Sequence, residues 1–504
     1  MANFATNTKR FLCIILSALL TVSAVSCANS STPEETTQQN TANPTADVTA
    51  PEEEETEKLY LDNLPETMDY GGEEICIVAA YEDKSITLGE DDDVGDVVND
   101  AYWKRNTGLE TRMNVKIELA GGASTGYGEF NGTVNRAIQA GSTEYDLLCG
   151  HTRFNVSCAA NGYLLDMNDG IFTDIIDLSQ PYWSTFYIEN LTYKNLLYWI
   201  TGDVSHNFVG YIYGMFVNGT VWENLYPGQN VYDYVFEGTW TLDKLNQLCD
   251  GSYQDLNANG LIDNSDVLGV IMQKGHTLNG MFAACDTEYT NWDPNGDLVI
   301  TLASEHTVDT FNKLHNLFYN TTYGLMLSND EFGDVSKAMF SEDRVLFCPQ
   351  EISFASDDKI RDMQSDFSII PLPKFDEQQE RYCVNQYDGI PIYGFPTTVV
   401  PEQYEMLANF LEAFCSMTSQ YVIPAYYDLA LKNKYSRDQT TAQMIDLIHE
   451  NITGDFGFYW GDSLGGLMNI FYDNIDKDEI ASTMASKQKT WDKALNRLIG
   501  KLEK

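Results

Sequence analysis

The chain has 504 residues, with 75 Asp and Glu against 30 Lys and Arg, a formal charge of −45 at pH 7, and 43% hydrophobic residues. So large an acidic excess excludes a nucleic-acid binder, whose affinity rests on basic contacts to phosphate, and it offers no electrostatic hold on an anionic membrane surface. The length allows two domains, each with a sizeable core.

At the N-terminus, Lys9 and Arg10 precede the apolar run FLCIILSALLTVSAVS (11–26) and Cys27. That run is short for a membrane span, and it predicts a signal peptide over 1–26. The tetrapeptide AVSC (24–27) resembles a bacterial lipobox, in which Cys27 is lipidated and becomes the first mature residue; cleavage after Ser26 with a free Cys is the alternative. Residues 28–64 hold Ser, Thr, Pro, Gln, Asn and an EEEE run at 52–55, with almost nothing to bury, so 27–64 is expected to be a lipidated Cys and a disordered acidic tether. The chain is therefore expected outside the cytoplasm, held on the outer face of the cell membrane by Cys27.

From about residue 65 the pattern is globular. EICIVAA (74–80) reads as a buried strand, 94–113 as a helix, and NVKIEL (114–119) as the next strand. GEFNGTVNRAIQAG (128–141) reads as a helix ending at Gly141, followed by the strand YDLLCG (145–150). Alternating strands and helices imply crossovers of one hand and a mainly parallel sheet. Similar units recur after a Pro-, Tyr- and Trp-rich middle: the capped helix TWTLDKLNQL (239–248), then VLGVIM (267–272), RVLFC (344–348) and FSIIPLP (367–373). DPNGD (293–297) reads as a hairpin turn, and the C-terminal third as largely helical. Eight cysteines follow Cys27 without a CxxC or a Cys/His cluster; several sit in apolar strands, as Cys76, Cys149 and Cys348 do. Free Cys behaves as a small buried hydrophobe, so mostly free thiols are expected, although export would permit pairing.

One loop carries its own chemistry. In DLNANGLIDNSD (255–266), Asp255, Asn257, Asn259, Asp263 and Asp266 stand at positions one, three, five, nine and twelve, Gly260 sits at the turn, and Leu261 offers its carbonyl at seven. Six to eight oxygens on a flexible loop suit Ca2+, and a structural calcium ion is expected here. An Asn/Gly-rich turn without a cation is the alternative. A lone loop of this kind is more often a staple than a sensor.

Several stretches then resemble extracellular solute-binding proteins, the receptors of ABC importers in the cluster that includes maltodextrin-binding proteins. YDLLCGHTRFNVSCAANGYLLDM (145–167) is similar to their strand, ligand-contacting loop and short helix, with Gly162, Leu164 and Asp166 as the following signature. GYIYGMFVNGTVWEN (210–224) resembles the entry to the second lobe, TWTLDKL the Thr-Trp helix start, and FSIIPLPKFDEQQERY (367–382) and PAYYDLALKNKYSRD (424–438) motifs of large lipoprotein members. The resemblance implies an α/β, two-lobe periplasmic-binding-protein-like fold with mainly parallel sheets and hinge crossings. By that analogy lobe one is 65–207 with 387–436, and lobe two is 208–386 with 437–504. Ligand would lie in the cleft between the lobes.

Ligands of open parallel sheets gather beyond the carboxyl ends of the strands. That rule nominates Tyr81 and Glu82 after the first strand, His151, Thr152 and Arg153 after YDLLCG, Gln350 and Glu351 after RVLFC, and Tyr387 and Asp388 before GIPIYG (389–394). Maltodextrin receptors place an acidic–Arg pair for sugar hydroxyls near Arg153, whereas Thr152 stands here in place of the acid. A surface ion pair is the alternative role for Arg153. Asp203 and His206 fall at the expected hinge crossing, as ligand contacts or as a structural turn. Sugar receptors combine aromatic plates with planar polar groups, and the 30 Tyr and 8 Trp suit that chemistry. Trp183 and Trp460 are the expected plates, with core packing as the alternative; Trp222 and Trp240 belong to the core.

These features point to a lipid-anchored, monomeric receptor rather than an enzyme. It would capture a carbohydrate, an oligosaccharide above all, and deliver it to permease subunits. Two other readings stand beside it: an exported glycoside hydrolase working through paired carboxylates, and a surface glycan-binding lipoprotein without a transporter. No GxSxG or HExxH signature supports other hydrolytic chemistry.

Overall fold

The computed structural model describes residues 59–81, 87–89, 95–120, 127–427 and 439–504; the leader, Cys27, nearly all of the tether and Glu82 lie outside the described residues. Among the described residues eleven strands run in chain order: β1 Glu73–Ala79, β2 Val115–Leu119, β3 Leu147–His151, β4 Tyr213–Asn218, β5 Leu268–Gln273, β6 Thr290–Trp292, β7 Leu298–Ile300, β8 Gly324–Leu327, β9 Val345–Glu351, β10 Phe367–Ile370 and β11 Pro391–Gly394.

The first sheet has the order β11–β3–β1–β2. β1 runs parallel to β2, with Ile75 opposite Ile117, and parallel to β3, with Ile77 opposite Leu147. Its apolar run is covered on both faces, as expected for a strand buried inside a parallel sheet. The helix Val97–Met113 connects β1 to β2; Asp96 caps it by accepting from the amides of Val98 and Asn99, and Asn114 ends it at φ 50°. Its buried Arg112 makes a two-pronged ion pair with Asp62 at 2.7 and 2.8 Å. The helix Tyr404–Pro424 packs beside it.

The second sheet has the order β10–β4–β9–β5–β8, and β6–β7 forms a separate hairpin. The expected DPNGD turn closes that hairpin, with the Asp293 amide donating to the Asp297 carbonyl at 2.8 Å and Gly296 at φ 82°. The helix Leu242–Cys249 starts where TWTLDKL predicts, capped by the Thr241 hydroxyl. Trp240 and Trp222 are core residues, 0% and 6% exposed. All eight cysteines from Cys76 onward are free; burial pushes the Cys149 and Cys158 thiols up to about 12.

The sheets are mixed where the periodicity predicts mainly parallel ones. β4 runs antiparallel to β9 and β10, and β11 antiparallel to β3. β4 is the strand on which the chain enters the second sheet and β11 the one on which it returns to the first, and each runs against the strands it pairs with. Two crossing segments pair with each other: Ile212 bridges Gln386, the Tyr213 amide donates to the Asn385 carbonyl at 3.2 Å, and the Tyr387 amide to the Tyr211 carbonyl at 2.7 Å.

Candidate functional site

The carboxyl ends of β1 and β3 in one sheet, and of β5 and β9 in the other, lead to a shared seam. Arg153 is placed there by the short turn of helix after β3. Its backbone is pinned, since the Arg153 amide donates to the Asp388 carbonyl at 3.1 Å and the Thr152 amide to the Ile390 carbonyl at 3.2 Å. Its guanidinium reaches three acceptors: Nη1 meets Asp388 Oδ2 at 3.1 Å, Nε meets Asp462 Oδ2 at 3.1 Å, and Nη2 meets Asn469 Oδ1 at 2.8 Å. The second Asp388 oxygen lies 3.4 Å from His276 Nδ1. Arg153 follows β3 and Asp388 precedes β11 of the first sheet, whereas His276 opens the helix His276–Ala284 that follows β5 of the second. The segment bearing Asp462 and Asn469 leads into Ile470–Asn474, which rests on that same helix through the stacked rings of Phe282 and Phe471. Three polar side chains thus converge on one arginine, and three links join the two halves.

The electrostatics follow from this burial. Desolvation by itself would raise the Asp388 carboxyl, but the close contact with His276 and the charges of His276 and Arg153 hold it far below the usual carboxylate range. Burial would lower the His276 imidazole, yet the contact with Asp388 outweighs it and the pKa is raised. At His151 burial outweighs the charge of Asp388 and lowers the pKa to about 4, so the ring is neutral near pH 7.

Around the charges stand rings and amides. The His151 ring stacks on Tyr81 at 6.0 Å and tilts against Phe154 at 4.8 Å. Tyr387 meets His276 edge-on at 4.8 Å and Tyr211 at 5.3 Å. Tyr81 donates its hydroxyl to the Gly389 carbonyl at 2.5 Å. On the second-sheet side, Tyr213 lies opposite Glu351 in the β4–β9 ladder, and burial pushes the Glu351 carboxyl up. Gly280 allows the helix to close on this region, because a Cβ there would sit 3.2 Å from the Tyr213 ring and 3.3 Å from Asn385 Oδ1. The Asn385 amide is buried with neither its oxygen nor its nitrogen hydrogen-bonded, and Asn279 Oδ1 is also unanswered. Buried polar groups are nearly always paired, so these atoms leave hydrogen-bonding capacity open at this place. Beyond β5 and β9 lies a cavity of about 470 Å³, lined by Gln273, Asn329, Lys337, Gln350, Glu351 and Asp357 among others.

The structure therefore brings together Tyr81, His151, Arg153, Tyr387 and Asp388, and sets Gln350 and Glu351 on the adjoining cavity. Four expectations need correction. Thr152 is fully buried and its hydroxyl donates to the Ile390 carbonyl at 2.5 Å, so it extends the β3–β11 pairing rather than facing a ligand. Trp183 is 2% exposed and gives its indole N–H to Glu412 at 2.9 Å, which makes it a core residue and not a plate. Asp203 accepts from Ser419 at 2.7 Å on the helix Tyr404–Pro424, a structural contact; His206 beside it meets the Tyr102 hydroxyl at 2.9 Å. Trp460 is also covered, 1% exposed and stacked on Phe456. The sequence reading missed His276, Asp462, Asn469, Asn279 and Asn385. The carboxyl-end rule applied to VLGVIM would have led to His276; nothing local marks the others.

The loop 255–266 folds as a ring of turns. Asp255 Oδ2 accepts from the Gly260 amide at 2.9 Å, and Asp266, itself buried, accepts from the amides of Leu256 and Asp263. Asn259 Nδ2 donates to Asp263 Oδ2 at 2.8 Å. Asp255 Oδ1 is buried with no hydrogen-bond partner, which fits a cation ligand. Among the described residues, no group of three or more His, Cys, Asp or Glu side chains converges at metal-binding distance.

No helix among the described residues is long and apolar enough to cross a membrane. No protein-family model and no curated protein matches the sequence. Solved structures do match in shape. A cyclo/maltodextrin-binding protein complexed with maltotetraose superposes with a TM-score of 0.53 at 15% identity, over 86% of this chain and 97% of that one. The GacH receptor of Streptomyces glaucescens GLA.O, solved unliganded and with acarbose, gives 0.51 at 11% identity over 86% and 99%. UgpB from Mycobacterium tuberculosis in complex with glycerophosphocholine gives 0.50 at 15% identity over 86% and 98%. At such identities the likeness is one of fold, and the chain has the two-lobe α/β fold of extracellular solute-binding proteins.

Proposed function

We propose that this chain is the solute receptor of an ABC importer, that it takes a carbohydrate, an oligosaccharide above all, between its two halves, and that it hands the solute unaltered to permease subunits. The observation that carries this reading is the seam, where Arg153, Asp388 and His276 meet across the two sheets beside the unanswered amide of Asn385. An amide with a free donor and a free acceptor, with the Tyr213 ring close by, matches a guest that presents hydroxyls and apolar C–H faces. Ligand that touches both halves only when they are together shifts the population toward the closed form. Lipidation of Cys27 would hold the receptor at the outer membrane face, with the acidic tether as its leash.

The 255–266 loop fits the same reading as a structural Ca2+ site. Asp255, Asp263, Asp266, the Leu261 carbonyl and the amide oxygens of Asn257 and Asn259 would hold the ion; the two Asn side chains would turn their oxygens, rather than the nitrogens that now face Asp263, toward it. The ion would brace the loop before β5 and take no part in ligand contact.

Calorimetric titration of the purified protein with a glycan panel, with chromatography of the recovered sugar, tests the proposal. Saturable binding with intact sugar is expected. Shortened sugar in the recovered fraction would make the protein a hydrolase, and no heat with any glycan would end the carbohydrate reading.

A further inference from the structure

Arginine is the side chain best suited to grip a carboxylate or phosphate, because its planar fork offers paired N–H donors. In this seam that fork is already committed. Asp462 takes the Nε edge at 3.1 Å, with its other oxygen 3.4 Å from Nη2; Asn469 takes Nη2 at 2.8 Å; Asp388 takes Nη1 at 3.1 Å. The other cations nearby are also engaged, His276 with Asp388 at 3.4 Å and Lys274 with Asp476 at 3.3 Å. Glu351 adds a further carboxyl on the second-sheet side. Among the described residues, an entering anion would meet acidic groups and no uncommitted positive charge.

We propose that Asp388, Asp462 and Asn469, by occupying all three nitrogens of Arg153, make this site selective for uncharged solutes, with Asp462 as the residue that excludes anions. This rests on the carbohydrate reading above and narrows it to neutral sugars, against uronic acids and sugar phosphates. Asp388 is clamped on two sides and its side chain is only 4% exposed, so it belongs to the frame of the site. The Asp462 side chain is 33% exposed and reaches Arg153 alone among the ion pairs. It is the partner an anionic solute would have to displace, and displacing it would leave one carboxylate uncovered for each one bound. Hydroxyls place no such demand: they use the neutral amides and rings and leave Arg153 as it is.

The test uses neutral malto-, cello- and manno-oligosaccharides, each paired with the same oligomer oxidised to a carboxylate at one terminal C6. For whichever neutral oligomer binds, its carboxylate is expected to bind at least about tenfold more weakly at low salt. That gap is expected to shrink as salt rises from about 0.01 M to about 0.15 M, because repulsion between charges in a wet cleft is screened. In Asp462→Asn the gap is expected to narrow by about tenfold. Equal or tighter binding of the carboxylate by the native protein overturns the inference, as does a gap indifferent to salt. A folded Asp462→Asn protein with an unchanged gap removes Asp462 from the role; if that variant does not fold, the salt series on the native protein decides. Absence of binding to every neutral and acidic glycan is a different outcome, which refutes the carbohydrate reading and this inference with it.

Discussion

Replacing Asp388 by Ala tests whether the seam is as dry and as paired as the distances say. The carboxylate is 4% exposed and holds Arg153 at 3.1 Å and His276 at 3.4 Å. Removing one partner from a buried ion pair costs about 3–5 kcal/mol, because the other charge stays behind unpaired. Here the lower end, about 3 kcal/mol, is expected: Arg153 retains Asp462 and Asn469, and His276 can shed its proton. With a urea slope of about 3 kcal/mol/M, the unfolding midpoint at pH 7 should fall by about 1 M. The pH dependence carries a sign. A carboxyl whose folded pKa is depressed contributes stability above its unfolded value of about 3.9, and that contribution fades as pH falls through the lower folded pKa. Native and variant midpoints should therefore draw together below about pH 3. Tryptophan fluorescence in urea at pH 7 and at low pH measures both. A shift below about 0.2 M at pH 7, or a gap that persists in acid, would refute the buried pairing.

His276 gives the opposite slope. Its raised pKa means its ion pair is fully present below the unfolded value of about 6.5 and is lost as pH climbs through the folded value; His276→Gln should flatten the stability-against-pH curve above pH 6, measured by urea midpoints across that range. Chelation should lower the melting temperature while leaving affinity at saturating ligand little changed, with about 2.7 kcal/mol of stabilisation returned at calcium one hundred times its dissociation constant; Asp255→Asn should abolish the response. Trp183→Phe should cost about 1–3 kcal/mol, since Glu412 Oε2 loses its buried donor, yet leave glycan affinity unchanged; a loss of affinity without a loss of stability would return Trp183 to the cleft.

Much of this protein is written in short stretches. The apolar runs around Ile77 and Phe347 become strands of the two sheets, Thr241 caps its helix, and DPNGD turns its hairpin. In each case the decisive contacts lie within a few residues, so the spacing of side chains along the chain is enough. The rule that guests gather past the carboxyl ends of strands also leads from β1 and β3 to Tyr81, His151 and Arg153 without any knowledge of their neighbours. Which partners those residues find is another matter. Arg153 meets Asp388 across 235 positions and Asp462 across 309, and with 75 acidic residues in the chain no local pattern singles out two. Trp183 and Trp460 look like plates in sequence and lie in packed cores in space, because an indole buries as readily against a helix as against a sugar. The antiparallel strands β4, β10 and β11 have the same apolar signature as parallel ones, and only the path between the sheets sets their direction. Periodicity records which face of an element is covered; the identity of what covers it is decided when distant segments close on one another.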